Sequence, residues 1–116
     1  MLKWTQLMQL VRECAGEPLY RYRAYGNGPC TVWQEGTVQM GHATETGRYS
    51  ALSTEMLVIR FAYAGERMDP VARALIARLT EAHAVFRCTS DYDEDRDMVC
   101  YRFTIGEVRM DAPDTL

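Results

Sequence analysis

A chain of 116 residues with a formal charge of -3, 47% hydrophobic and 25% charged residues has the size and balance of one globular domain, read here as 1–116. Eight Gly and four Pro exclude a fibrous or low-complexity chain. A pI near 5.3 with no Lys/Arg cluster argues against a groove tracking nucleic-acid phosphates, because such binding draws its affinity from basic side chains.

The first element is read from Trp4, Leu7, Met8, Val11, Cys14 and Ala15, which recur at helical spacing while Gln6, Gln9, Arg12 and Glu13 fill the other side. Gly16 and Pro18 end that helix. Residues 19–25 alternate, with Tyr20, Tyr22 and Ala24 on one side and Arg21 and Arg23 on the other, which predicts a half-buried strand. Gly26 to Pro29 is a turn signal, and Cys30 to Met40 reads as a strand interrupted at Glu35-Gly36 by either a bulge or a hairpin tip. Residues 41–50 are polar and aperiodic, as in an exposed loop.

Met56 to Ala64 is apolar on both faces, with Leu57, Ile59, Phe61 and Tyr63 opposite Met56, Val58, Arg60 and Ala62, so it belongs in the middle of a sheet. Asp69-Pro70 predicts a helix start, the carboxylate capping free N–H groups and the Pro supplying a helical φ. The stripe Val71, Ala72, Leu75, Ile76, Leu79 and Ala82 carries that helix to about His83. Residues 85–89 and 98–105 read as two further strands joined by the acidic segment 91–97, and Pro113 with its polar neighbours suggests a frayed end.

The expected fold is therefore α+β: a mainly antiparallel sheet of about five strands with two helices packed on it, in the order α-β-β-β-α-β-β. This order resembles that of the small dimeric chaperones of bacterial type III secretion, which commonly add a last helix not seen in this pattern. The resemblance implies a partner-binding protein whose extended client pairs along helix and sheet surfaces; it transfers no site residue.

The N-terminal dozen residues are interrupted by Gln6, Gln9 and Arg12, and no 18-residue apolar run occurs, so neither a signal peptide nor a membrane span is expected and the protein reads as cytoplasmic. In that compartment Cys14, Cys30, Cys88 and Cys100 are expected as free thiols. Alternation also sends Cys88 and Cys100 to opposite sides of the last two strands.

Asp91, Asp93 and Asp95 occupy alternate positions like the first ligands of a calcium loop. Arg96 stands where that loop needs Gly and Arg102 where it needs Glu, leaving at most a loose divalent site beside the plainer reading of a solvated hairpin tip. His42 with Glu45 and Tyr49 are types able to do acid–base work, although no motif accompanies them and one His among polar residues is usually solvated surface. No cofactor is expected. His83 is read at the helix end, near its dipole.

Arg60, a charge inside an apolar strand, must meet a carboxylate, a solvent-facing interface or an anionic ligand. Arg60, Tyr63, Trp33 and Tyr22 are thus the candidate ligand-binding residues, apolar walls around one Arg. Seven Met and two broad helical stripes predict a surface completed by a second copy. The leading expectation is a non-catalytic homodimer that binds a small molecule or a peptide. A chaperone-like partner binder and a small enzyme using the 41–50 loop are the alternatives.

Overall fold

The computed structural model describes residues 2–39 and 53–109. The elements run α1 (Trp4–Ala15), β1 (Leu19–Arg21), β2 (Cys30–Gln39), β3 (Ser53–Tyr63), α2 (Pro70–Glu81), β4 (Val85–Asp93) and β5 (Met98–Arg109). They form one α+β arrangement with strand order β1-β2-β3-β5-β4. Every pairing is antiparallel except the short parallel one between β1 and β2. The strand apolar on both faces, β3, is central, as its sequence requires.

Both helices lie on one face. Leu7, Met8, Leu10 and Val11 of α1 and Ala72, Leu75 and Leu79 of α2 join Met56, Val58, Phe103 and Ile105 in a single buried cluster. Residues 71–79 meet the sheet through the stripe read from their spacing, and Asp69 starts the helix through its side chain, which accepts from Ala72 N at 3.0 Å. Helix α2 stops at Glu81. His83 is exposed and adopts the left-handed conformation at φ 56° as the chain turns into β4.

The opposite face carries Cys30, Val32, Leu57, Ile59, Phe61, Met98 and Cys100 by strand alternation. Part of it is covered by the segment joining β1 to β2: Tyr25 meets Tyr20 edge-on at 5.3 Å. Arg96 stacks over Phe61 at 4.6 Å and reaches Gly26 O at 3.5 Å. A parallel neighbour normally needs a longer crossover. Here eight residues suffice because β1 is only three residues long.

The structure corrects several boundaries. The alternation expected over 19–25 ends at Arg21, because Tyr22 takes a left-handed φ of 72° and leaves the strand. Residues 85–89 and 98–105 grow into strands reaching Asp93 and Arg109, so the acidic turn is shorter than 91–97. Loop 41–50 and Pro113 lie outside the described residues.

Glu35-Gly36 is a bulge. Partners run Glu35 to Met56 and then Val38 to Thr54, so two residues of β2 oppose Glu55 alone. On the other flank Ile105 pairs with Met56 and Val108 with Thr54, a second bulge opposite the same Glu55, with Glu107 at φ 54°. A Cβ at Gly36 would approach Glu55 Cβ to 2.9 Å. Gly36→Ala should therefore cost about 1–3 kcal/mol in urea unfolding, as overpacking against backbone-near atoms does.

Asp69→Ala should cost more, about 3–5 kcal/mol, because it removes the cap of α2 and strands Arg60, whose side chain is 11% exposed. Asp69→Asn, which keeps a capping oxygen, should lose less. Equal losses for the two substitutions in urea titrations would show that the charge at position 69 contributes nothing.

Candidate functional site

Arg60 projects from β3 toward the helices, where its Nε donates to Asp69 Oδ2 at 3.0 Å and its Nη1 to Thr31 Oγ1 at 3.4 Å. Asp69 N donates to the hydroxyl of Tyr101 at 3.3 Å. Of the environments open to this guanidinium, the carboxylate partner is the one realised. A cleft of about 770 Å³ adjoins the pair, walled by Tyr63, Glu66, Arg67, Met68 and Arg73. Tyr63 is 70% exposed and leaves β3 on the face opposite Arg60, since residues three apart on a strand point to opposite sides.

Trp33 and Tyr22 belong to a different constellation at the β1 edge. Trp33 leaves β2 on the helix side, opposite Val58, and meets Trp4 of α1 edge-on at 6.0 Å. The Arg21 guanidinium lies 5.0 Å from the Trp33 ring and 4.7 Å from the Tyr22 ring, and is bound to Glu35. Tyr22 donates its hydroxyl to the same carboxylate at 3.3 Å. The left-handed φ of Tyr22 makes this possible, because it turns the ring out of the strand alternation.

Beside this cluster α1 forms one wall of a trough. Its first part, about 470 Å³, is lined by Trp4, Thr5, Met8, Gln9, Arg12 and Trp33. A second part, about 730 Å³, continues from Arg12 to Gly16, Pro18, Leu19 and Tyr20. Arg12 sits where the two meet, is exposed, and makes no ion pair with any described residue. Next to the trough, β1 covers only Thr31 to Trp33 of β2, so the backbone of β2 from Gln34 onward has β3 as its one strand neighbour among the described residues.

The four sequence-predicted residues thus split into two pairs at separate places. Trp4, Met8, Arg12, Arg21 and Glu35 were not foreseen as a site. Trp4 and Met8 read as core stripe, which they partly are, and no periodicity reveals that α1 would leave one flank beside the shortest strand.

The acidic turn builds hydrogen bonds of its own: Asp93 Oδ1 accepts from Arg96 N at 3.3 Å, and Tyr92 donates its hydroxyl to Asp97. That bond is the main cause raising the Tyr92 pKa. Among the described residues no three His, Cys, Asp or Glu side chains come together as a metal site, with Asp91, Asp93 and Asp95 included. His42, Glu45 and Tyr49 lie outside the described residues.

No known family profile matches the chain, and no curated protein matches its sequence.

All four thiols are free, and Cys88 and Cys100 do face opposite sides, paired with Phe103 and Asp91. Burial pushes each thiol pKa above the ordinary 9.0. The thiolate is the reactive form, so at pH 8 all four should alkylate more slowly with iodoacetamide in the native protein than in urea. Because the folded-state values are raised, their stabilising effect is present below the unfolded pKa and is lost as pH climbs through the folded one. Unfolding free energy should accordingly fall above about pH 9, as urea titrations across that range would show.

Proposed function

We propose that this protein is a non-catalytic, polypeptide-binding accessory protein that takes an extended client segment along the flank of α1. The observation carrying this reading is the trough of Trp4, Met8 and Trp33 with Arg12, which has no ion-pair partner among the described residues, at its middle, beside the stretch of β2 that no described strand covers. Helix α1, at 12 residues, is about 18 Å long, the span of five or six extended residues. An apolar side chain of the client would rest between the two Trp rings, and a client carboxylate would meet Arg12. Backbone groups of β2 beyond Trp33 offer a further strand-pairing edge.

A peptide suits this trough better than a compact small molecule, because the cleft is elongated and its polar wall is a series of separate side chains. Arg21 is already held by Glu35, whereas Arg12 lines the trough with no ion-pair partner among the described residues. The order of elements, which resembles that of type III secretion chaperones, fits an extended client, and four free thiols fit a reducing, cytoplasmic setting. Arg60 and Tyr63, by contrast, serve the fold and its rim in this reading.

Fluorescence anisotropy with labelled ten-residue peptides bearing Leu or Phe near Asp tests it. Arg12→Glu, at an exposed position, should weaken binding of such a peptide about tenfold, and Trp33→Ala by at least as much. An acidic-apolar peptide set that never binds, or that binds Arg12→Glu as well as the native protein, would refute the assignment.

A further inference from the structure

We infer that the outer edge of β4 pairs with the same edge of a second copy, antiparallel, about a two-fold axis through Thr89. This edge, Val85–Asp93, lies at the far end of the strand order and has β5 as its one partner among the described residues. It is nine residues long, and Val85, Arg87, Thr89, Ser90, Asp91 and Tyr92 are all exposed along it. A long exposed edge of this kind is a pairing template unless something blunts it.

The sequence of β4 is complementary to its own reverse. With Thr89 on the axis, Arg87 stands opposite the partner's Asp91, and Asp91 opposite the partner's Arg87. Phe86 likewise stands opposite the partner's Tyr92, and its symmetry mate repeats the pair. Thr89 faces its own copy. Opposite charges, aromatic pairs and Thr–Thr pairs are the cross-strand combinations that stabilise antiparallel ladders. Neither Arg87 nor Asp91 forms an ion pair among the described residues, so both charges are available.

The faces agree as well. A two-fold axis normal to the sheet preserves its faces, so residues of equal parity must oppose one another. Phe86 and Tyr92 share the helix side with Ile105 and Val99, their partners on β5, while Arg87, Thr89 and Asp91 share the other. Neighbouring registers lose this match. An axis on Cys88 sets Val85 against Asp91 and Arg87 against Thr89; one on Ser90 sets Thr89 against Asp91 and Phe86 against Glu94.

The mixed charges of β4 would discourage an arbitrary strand while admitting this one. Closure by two-fold symmetry leaves no free β4 edge and yields one ten-stranded sheet, with each α1 trough at an outer end. The interface is independent of the client-binding reading, because the two surfaces occupy opposite sheet edges.

Sedimentation velocity on the full chain tests the pairing. Native protein should sediment at twice 13.3 kDa at tens of micromolar. Arg87→Asp and Asp91→Arg should each raise the dimer dissociation constant about tenfold or more, because each places like charges opposite one another twice. The double variant R87D/D91R, which restores both pairs in reversed sense, should regain native association. Circular dichroism should stay native throughout, these side chains being exposed. Oxidised Thr89→Cys should in addition cross-link into a dimer, and Val85→Cys, which would oppose Asp93, should not. A native particle of 13.3 kDa, single reversals that leave association unchanged, or a double variant no better than either single one would each overturn the pairing. Peptide binding to monomeric Arg87→Asp separates this outcome from failure of the trough assignment.

Discussion

A single carboxylate, Asp69, ties the helix layer to the sheet. It caps α2 through Ala72 N and neutralises Arg60, the one charged side chain that β3 sends toward the helices. Tyr101 on β5 and Thr31 on β2 supply neighbouring hydroxyls, so four elements meet within one hydrogen-bonded node. Buried charges survive only when each has its partner and its hydrogen bonds. Six residues join the end of β3 to the start of α2, and the pair closes that short connection. It thereby fixes where α2 begins and which face of the sheet it covers.

The second constraint is Glu55, opposed by bulges in both neighbouring strands. One bulge uses Gly36, which the close approach to Glu55 Cβ requires; the other uses Glu107 in a left-handed conformation. A bulge flips the alternation of the strand that contains it. In β5 that flip is what turns Val108, fully buried, back onto the helix side after Ile105. Without it the last turn of β5 would present Glu107 to the core.

Much of this was legible because periodicity and capping chemistry act locally. Helix α1, the Asp69-Pro70 start, the central place of β3 and the opposed directions of Cys88 and Cys100 each follow from spacing alone. The Arg60 anomaly was visible too, since burial of a lone cation is physically excluded, although its partner nine residues away was not. What stayed hidden depends on long-range placement. The left-handed Tyr22 leaves no trace in composition, so the apparent alternation over 19–25 misreported its face. Trp33 and Tyr22 on one side and Arg60 and Tyr63 on the other share residue chemistry, and only strand register separates them into two sites. Trp4 and Met8 look identical to core residues in the sequence because the helix uses them as both core and wall.

The arrangement of edges keeps the proposed client trough and the proposed β4 interface apart. Four inter-strand steps lie between β1 and β4, about 19 Å at ordinary spacing, which keeps the flank of α1 away from the far edge. The helices are joined on the surface by the Glu13–Arg78 pair at 2.8 Å, whose side chains are each 44% exposed. This hydrogen bond, aided by Gln9, holds the Glu13 carboxyl below its ordinary pKa, yet solvent screening leaves such a pair a small energetic role. Mechanical linkage must therefore run through the shared apolar cluster, which is packed from both helices and from β3 and β5. Close-packed cores of that kind hold the elements around them at fixed separation.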